Sequence, residues 1–144
     1  MKFTADNWKE YEKQFISFLD SDYAKSTKGI VYFWKTEKPI KRKKGDSRVI
    51  YIGESSKSFS ERYYPSSNWP IEEGYFDKYY RGYIEDYVSI SIEILEVADH
   101  VMAEYEALEL FKELHDELPP LNWKSGSNKR NIEEIKTIRS IILN

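Results

Sequence analysis

The run Gly29-Ile30-Val31-Tyr32-Phe33-Trp34-Lys35-Thr36, followed after a basic loop by Arg48-Val49-Ile50-Tyr51-Ile52-Gly53, decides the fold. Both segments are short and rich in β-branched and aromatic residues, the composition that suits a pleated, half-buried surface. The first strand is expected over about Ile30 to Lys35 and the second over Val49 to Ile52. Between them, Thr36 to Ser47 reads as a loop carrying Pro39, Gly45, Asp46 and the run Lys41-Arg42-Lys43-Lys44. The pair is therefore expected to form a β-hairpin with a long basic tip.

Outward from the hairpin, hydrophobic periodicity supplies the other elements. Trp8, Tyr11, Phe15, Phe18 and Leu19 recur at helical spacing, which predicts an amphipathic helix from about Thr4 to Asp20, capped by Thr4 or Asp6. Its aromatic stripe either covers one side of the sheet or binds a partner. Ser21 to Lys28 reads as a polar connector. After the second strand, a short helix holds Phe59 and Arg62 and ends before Pro65, because proline disfavours helical geometry in the residue preceding it. Ser66 to Pro70 is expected to be irregular, and Ile71 to Tyr83 carries tyrosines at the spacing of a short helix. Val88, Ile90, Ile92 and Ile94 alternate with Ser89, Ser91 and Glu93, the period of two of a strand from Tyr87 to Val97 with one buried face. Asp99 is placed to cap a helix from His100 to Leu118, which Pro119-Pro120 stops. Trp123 to Lys129 reads as a linker. A last helix from about Asn131 to Leu143 lines up Ile132, Ile135, Ile138, Ile141 and Ile142, a face that either packs on the domain or pairs with a second copy.

These elements predict an α+β fold: a small, mostly antiparallel three-stranded sheet flanked by helices, with extra helices at both ends. One domain is expected over residues 1–144, with an N-terminal helix and connector over 1–28, a core over 29–122 and a linker and last helix over 123–144. A chain of this length forms a core without staples, and the absence of cysteine excludes disulfides and thiolate metal sites. No signal peptide is expected behind Met1-Lys2-Phe3, and no stretch approaches the roughly 20 apolar residues of a membrane span. A cytoplasmic protein fits these features. The net charge of −3 argues against non-specific nucleic-acid binding over the whole surface, so any such binding must rest on a local patch. The 12 tyrosines and 4 tryptophans serve mainly as core and half-buried surface; the rest are available to stack on bases or line a site.

Taken together, Tyr32 in the first strand, Tyr51-Ile52-Gly53 closing the second, Arg62 in the next helix, a glutamate in a later helix and Pro119-Pro120-Leu121-Asn122 after it resemble the GIY-YIG nucleases over Gly29 to Asn122. In the preferred register Ile30-Val31-Tyr32 stands for the first motif, which displaces Gly29 by one position. Many members carry a histidine or lysine one turn after the arginine. Ser66 stands there in this chain, and Tyr63, Tyr64 and His100 are alternatives for its role.

Glu104 and Glu106 compete for the glutamate. On a helical wheel with Leu108 at zero, Glu104 falls at about −40°, inside a stripe drawn through Val101, Tyr105, Leu108 and Phe111, and Glu106 at about 160°, facing water. A carboxylate on a buried face needs a partner such as a metal ion or Arg62, so Glu104 is preferred and Glu106 is the runner-up. His115, almost three turns beyond Glu104, reads as a core or end-of-helix histidine.

The resemblance implies a metal-dependent DNA endonuclease acting on double-stranded DNA, with catalytic residues Tyr32, Tyr51, Arg62, Glu104 and Asn122. Glu104 would hold Mg²⁺ or Mn²⁺, and Arg62 would bind a phosphate oxygen in fork geometry. Tyr32 would act as the base and Tyr51 as the orienting hydroxyl, two roles that exchange readily, and Asn122 would position. The Lys41, Arg42, Lys43 and Lys44 tip would either contact the phosphate backbone beside the site or serve as a solvated loop. The competing reading is a non-catalytic nucleic-acid- or protein-binding module that retains the fold, and a homodimer through the C-terminal helix suits double-strand cutting.

Overall fold

The hairpin is present and longer than its sequence suggests. The computed structural model describes residues 2–4, 8–63, 89–122 and 132–144. In chain order the elements are β1 (Lys2–Thr4), α1 (Trp8–Leu19), α2 (Asp22–Ser26), β2 (Ile30–Lys41), β3 (Asp46–Ser55), α3 (Phe59–Tyr63), β4 (Ser89–Glu96), α4 (His100–His115) and α5 (Ile132–Leu143). The strand pairing extends well beyond the apolar runs, because backbone pairing continues through residues whose side chains are exposed. The loop between strands is thereby reduced to residues 42–45, where Gly45 adopts φ 68° and its N-terminal neighbours dock on the end of α4.

The expected three-stranded antiparallel sheet, β4-β2-β3, carries a fourth strand at its edge, giving the order β1-β4-β2-β3 among the described residues. Thr4 is expected to begin or cap the first helix, and residues 2–4 form a strand. They pair with Ser89 to Ser91 of β4, since an open sheet edge offers backbone partners that helix periodicity does not reveal. The connector before β2 contains the short helix α2, capped by the Ser21 side chain, which accepts from the Ala24 N–H. The irregular Ser66–Pro70 segment, the tyrosine-rich helix over Ile71 to Tyr83 and the linker over Trp123 to Lys129 lie outside the described residues.

Alternation along β2 sorts two cores. Ile30, Tyr32 and Trp34 face Tyr11, Phe15, Phe18 and Leu19 of α1 and Phe59 of α3; Val31 and Phe33 face Ala103, Ala107 and Phe111 of α4 and Ile138 and Ile142 of α5. The register changes once where the two strands meet the core. Trp34 pairs with Tyr51 but Lys35 pairs with Val49, so Ile50 is an extra residue on β3. Such a bulge breaks strict alternation. It lets Ile50 and Tyr51 both turn to the α1–α3 side, while Val49 and Ile52 serve the other.

The last helix packs on its own domain. Ile138 and Ile142 are buried in the core beside α4, so this part of the apolar face is used within the domain. A buried lysine ties the helix down: Lys35 Nζ donates to Glu93 Oε1 at 3.0 Å and to the Ile141 carbonyl at 3.1 Å. A cation at a helix C-terminus meets the negative end of the helix dipole as well as an orphan carbonyl. Arg48 Nη1 adds a bond to the Asn144 carbonyl at 3.0 Å. No described helix is long and apolar enough to cross a membrane.

One contact in the hairpin is tighter than the others. Tyr32 lies directly across from Gly53, and a Cβ at Gly53 would stand 2.5–2.8 Å from the Tyr32 ring and hydroxyl oxygen. The Gly53→Ala substitution is therefore expected to overpack this pair and cost about 1–3 kcal/mol. Thermal melting should show the loss, and most of it should disappear in a Tyr32→Ala background, where the clashing ring is absent.

Candidate active site

The site is assembled around the ring that Gly53 accommodates. Tyr32 packs edge-on against Phe59 at 5.3 Å between centroids and against Tyr63 at 5.9 Å, and it lies 6.1 Å from Tyr51. Phe59 and Tyr63 lie one turn apart on α3 and touch at 4.6 Å, and Trp34 Nε1 donates to the Tyr63 hydroxyl at 3.2 Å. Arg62 sits between those two anchors in sequence, so the packing of α3 on Tyr32 sets its position. Its guanidinium carbon is 5.6 Å from the Tyr63 ring centre.

The Tyr32 hydroxyl is sealed from solvent and receives no hydrogen bond of normal geometry among the described residues. Burial pushes its pKa up, and this outweighs the opposing pull of Arg62 and Tyr63. Tyr32 is therefore a neutral phenol in the cation-free protein. Arg62 in turn is held more firmly in its charged form, chiefly by Tyr32 and then by Tyr63 and Tyr51.

The carboxylate arrives from the other face of the sheet. Glu104 is half-buried on α4, and its pKa is raised to about 7 by burial first and by the charge of Glu54 second. The Glu54 backbone, Arg62 and His100 oppose that rise. Glu54 follows Gly53 and pairs with Val31, which turns its side chain toward α4. There it meets His100, whose Nδ1 is hydrogen-bonded to Glu54 Oε2. His100 stands one helical turn before Glu104, on the same side of α4. Tyr32 and Arg62 from one face and Glu104, Glu54 and His100 from the other thus gather at the end of β3.

Glu106 is not the solvent-facing residue that the wheel implies. It is buried at 9% exposure, while Val101, placed in the apolar stripe, is 42% exposed. The stripe was centred wrongly because α4 is covered on two sides, by the sheet and by α5. Its closest face is marked by the small residues Ala103 and Ala107 rather than by Leu108. Glu104 lies at the margin of that buried arc, half-buried and within electrostatic reach of Glu54 and Arg62.

Asn122 uses its amide on the sheet edge. Its Oδ1 accepts from the Ile52 N–H at 2.9 Å and its Nδ2 donates to the Ile52 carbonyl at 2.8 Å. Together with the bond from the Leu121 N–H to the Ile50 carbonyl at 3.0 Å, this covers the free edge of β3 beside Gly53. Asn122 is a positioning residue for the strand that carries Tyr51, Gly53 and Glu54.

The basic tip is not part of this cluster. Lys41 lies nine residues along β2 from Tyr32, on the order of 30 Å at the usual strand rise. Arg42 is nearly buried in an ion pair with Glu117 at 3.5 Å, and Lys43 and Lys44 use their backbones on Glu117 and on His115. His115 is an end-of-helix residue: it stacks on Phe111 at 4.5 Å, and its Nδ1 bonds the Lys44 carbonyl at 2.8 Å.

Glu54 was missed in the sequence, although its place directly after Gly53 in a strand sends it to the face opposite Tyr32. Among the described residues no group of three or more His, Asp and Glu side chains gathers to hold a metal ion. Two neighbouring carboxylates, one raised by burial and mutual repulsion, nevertheless fit a single hard cation held largely by water. Comparison of the chain with protein-family models, with curated proteins and with solved structures finds no match in any of the three.

Two measurements test this geometry. Asn122→Ala leaves the Ile52 N–H and carbonyl without their partner and should cost about 1–3 kcal/mol, read by denaturant unfolding. Glu104 binds its proton more tightly folded than unfolded, so its contribution to stability is full below its usual carboxylate range and is lost as pH rises to about 7. After discounting for solvent screening, about 1–2 kcal/mol of stability should be lost across that window in metal-free buffer. The pH slope should vanish in Glu104→Gln.

Proposed function

We propose that this chain is a metal-dependent endonuclease of the GIY-YIG type that hydrolyses phosphodiester bonds in double-stranded DNA. The observation that carries the reading is the meeting of Arg62 from α3 and Glu104 from α4 around the buried hydroxyl of Tyr32. Neither the hydrophobic cores nor the sheet requires a cation, a phenol and a raised carboxyl in one place. A phosphoryl-transfer site does, because the reaction builds negative charge that must be neutralised where it appears.

Bound at Glu104, with Glu54 beside it, Mg²⁺ or Mn²⁺ would supply positive charge to the phosphate oxygens. Arg62 binds a non-bridging oxygen through its planar fork of N–H donors. Tyr32, buried and neutral, is the ring on which α3 places Arg62, and Tyr51, half-buried beside it, offers a hydroxyl to the site. Asn122 keeps β3 straight enough for these groups to stay in register. A duplex that touched both the site and the Lys41–Lys44 tip would run along the hairpin for about nine base pairs. Such a contact would add salt dependence without adding sequence recognition.

The test is cutting of supercoiled plasmid and of mixed genomic DNA with Mg²⁺ or Mn²⁺, beside an EDTA control. Cutting should need the metal, and Glu104→Ala and Arg62→Ala should each reduce it by about a hundredfold or more. A Glu104→Ala variant that cuts like the parent would remove Glu104 from the site. Retained DNA binding with no cutting of either substrate would favour the alternative, a non-catalytic binding module with the same fold.

A further inference from the structure

The cluster contains one histidine that the proposed reaction has not used. His100 bonds Glu54 through Nδ1, and a carboxylate can only accept at that contact. Nδ1 therefore carries a proton, and in the neutral ring Nε2 is the nitrogen with the lone pair. This is the arrangement by which a carboxylate fixes the tautomer and orientation of an imidazole that serves as a base. The His100 side chain is 27% exposed, so water reaches it, whereas the Tyr32 hydroxyl is closed to solvent. Its place one turn before Glu104 brings the ring to the same side of the helix as that carboxyl.

We propose, on the nuclease reading above, that His100, oriented by Glu54, is the general base that takes the proton of the attacking water. The water oxygen forms its bond to phosphorus as its proton passes to His100 Nε2. The bond from phosphorus to the leaving sugar oxygen breaks, and that oxygen is protonated by solvent water. His100 then returns its proton to solvent. Glu54 is a positioning residue: it holds the ring and touches no reacting atom. Arg62 remains a donor to the phosphate. The histidine missing one turn beyond Arg62 in the sequence is thereby replaced by one from a different helix.

The test uses the full chain. In the metal-free parent, heteronuclear NMR of the imidazole nitrogens should show His100 as the Nδ1–H tautomer, and Glu54→Ala should abolish that preference. An Nε2–H tautomer in the parent would overturn the proposal without any cutting assay. In single-turnover cutting of mixed genomic DNA with Mg²⁺, His100→Ala and His100→Gln should each be slower by about a hundredfold, with DNA affinity unchanged. Added imidazole should restore roughly tenfold of the loss in His100→Ala, as only a missing proton acceptor allows. Variants that cut at the parent rate, or a His100→Ala variant with a native melting curve and no response to imidazole, would overturn the base role while leaving the nuclease reading intact. A parent that cuts nothing would bring down both.

Discussion

The structure depends on an aromatic ring resting on a glycine. Tyr32 occupies the space that a Cβ at Gly53 would fill, so its ring lies close over the edge strand. That surface is what α3 packs against. Phe59 and Tyr63 close on the ring, and Arg62 between them is carried to the end of the sheet. The bulge at Ile50 completes the arrangement by turning Tyr51 to the same side. A side chain at position 53 would lift the ring and displace the helix with it.

The polar groups gathered there are held against their own preferences. A buried phenol and a half-buried carboxyl next to a second carboxylate both resist ionisation, and for the carboxyl this opposes stability at neutral pH. The rest of the domain offsets this. Aromatic packing on one face and aliphatic packing on the other bury the sheet on both sides. Lys35 and Arg48 fasten the last helix by its C-terminal carbonyls, and Asn122 closes the exposed edge of β3. Groups with shifted proton affinities concentrate where a protein binds charge, and here they sit on two rigid strands and two helices.

The hairpin separates two kinds of positive charge. At one end Arg62 is close to the acidic and phenolic groups, where a guanidinium can act on one phosphate. At the other, the basic tip is fastened to the C-terminus of α4 through Glu117 and His115, and Lys41, Lys43 and Lys44 face water. The acidic balance of the chain as a whole makes this local placement matter, since no uniform positive field draws a polyanion to the surface.

The sequence by itself determined β2, β3 and β4 and the main helices. Alternation in Val88 to Ile94, the aromatic spacing of α1 and the Asp99 cap are local signals, and local physics is sufficient to read them. Tyr32, Gly53, Arg62 and Glu104 were singled out by their resemblance to a family motif rather than by local physics. What needed the tertiary structure was everything set by a second element. The first residues joined a sheet edge because β4 left that edge open. Glu106 became buried because α4 is covered twice, which a single-helix wheel does not register. Asn122 turned its amide on Ile52 because the chain returns along β3, and the basic tip lay far from the site because the strands run on past their apolar core. The bond between Glu54 and His100 joins residues 46 positions apart. Only folding creates that neighbourhood, because burial and charge act through space rather than along the chain.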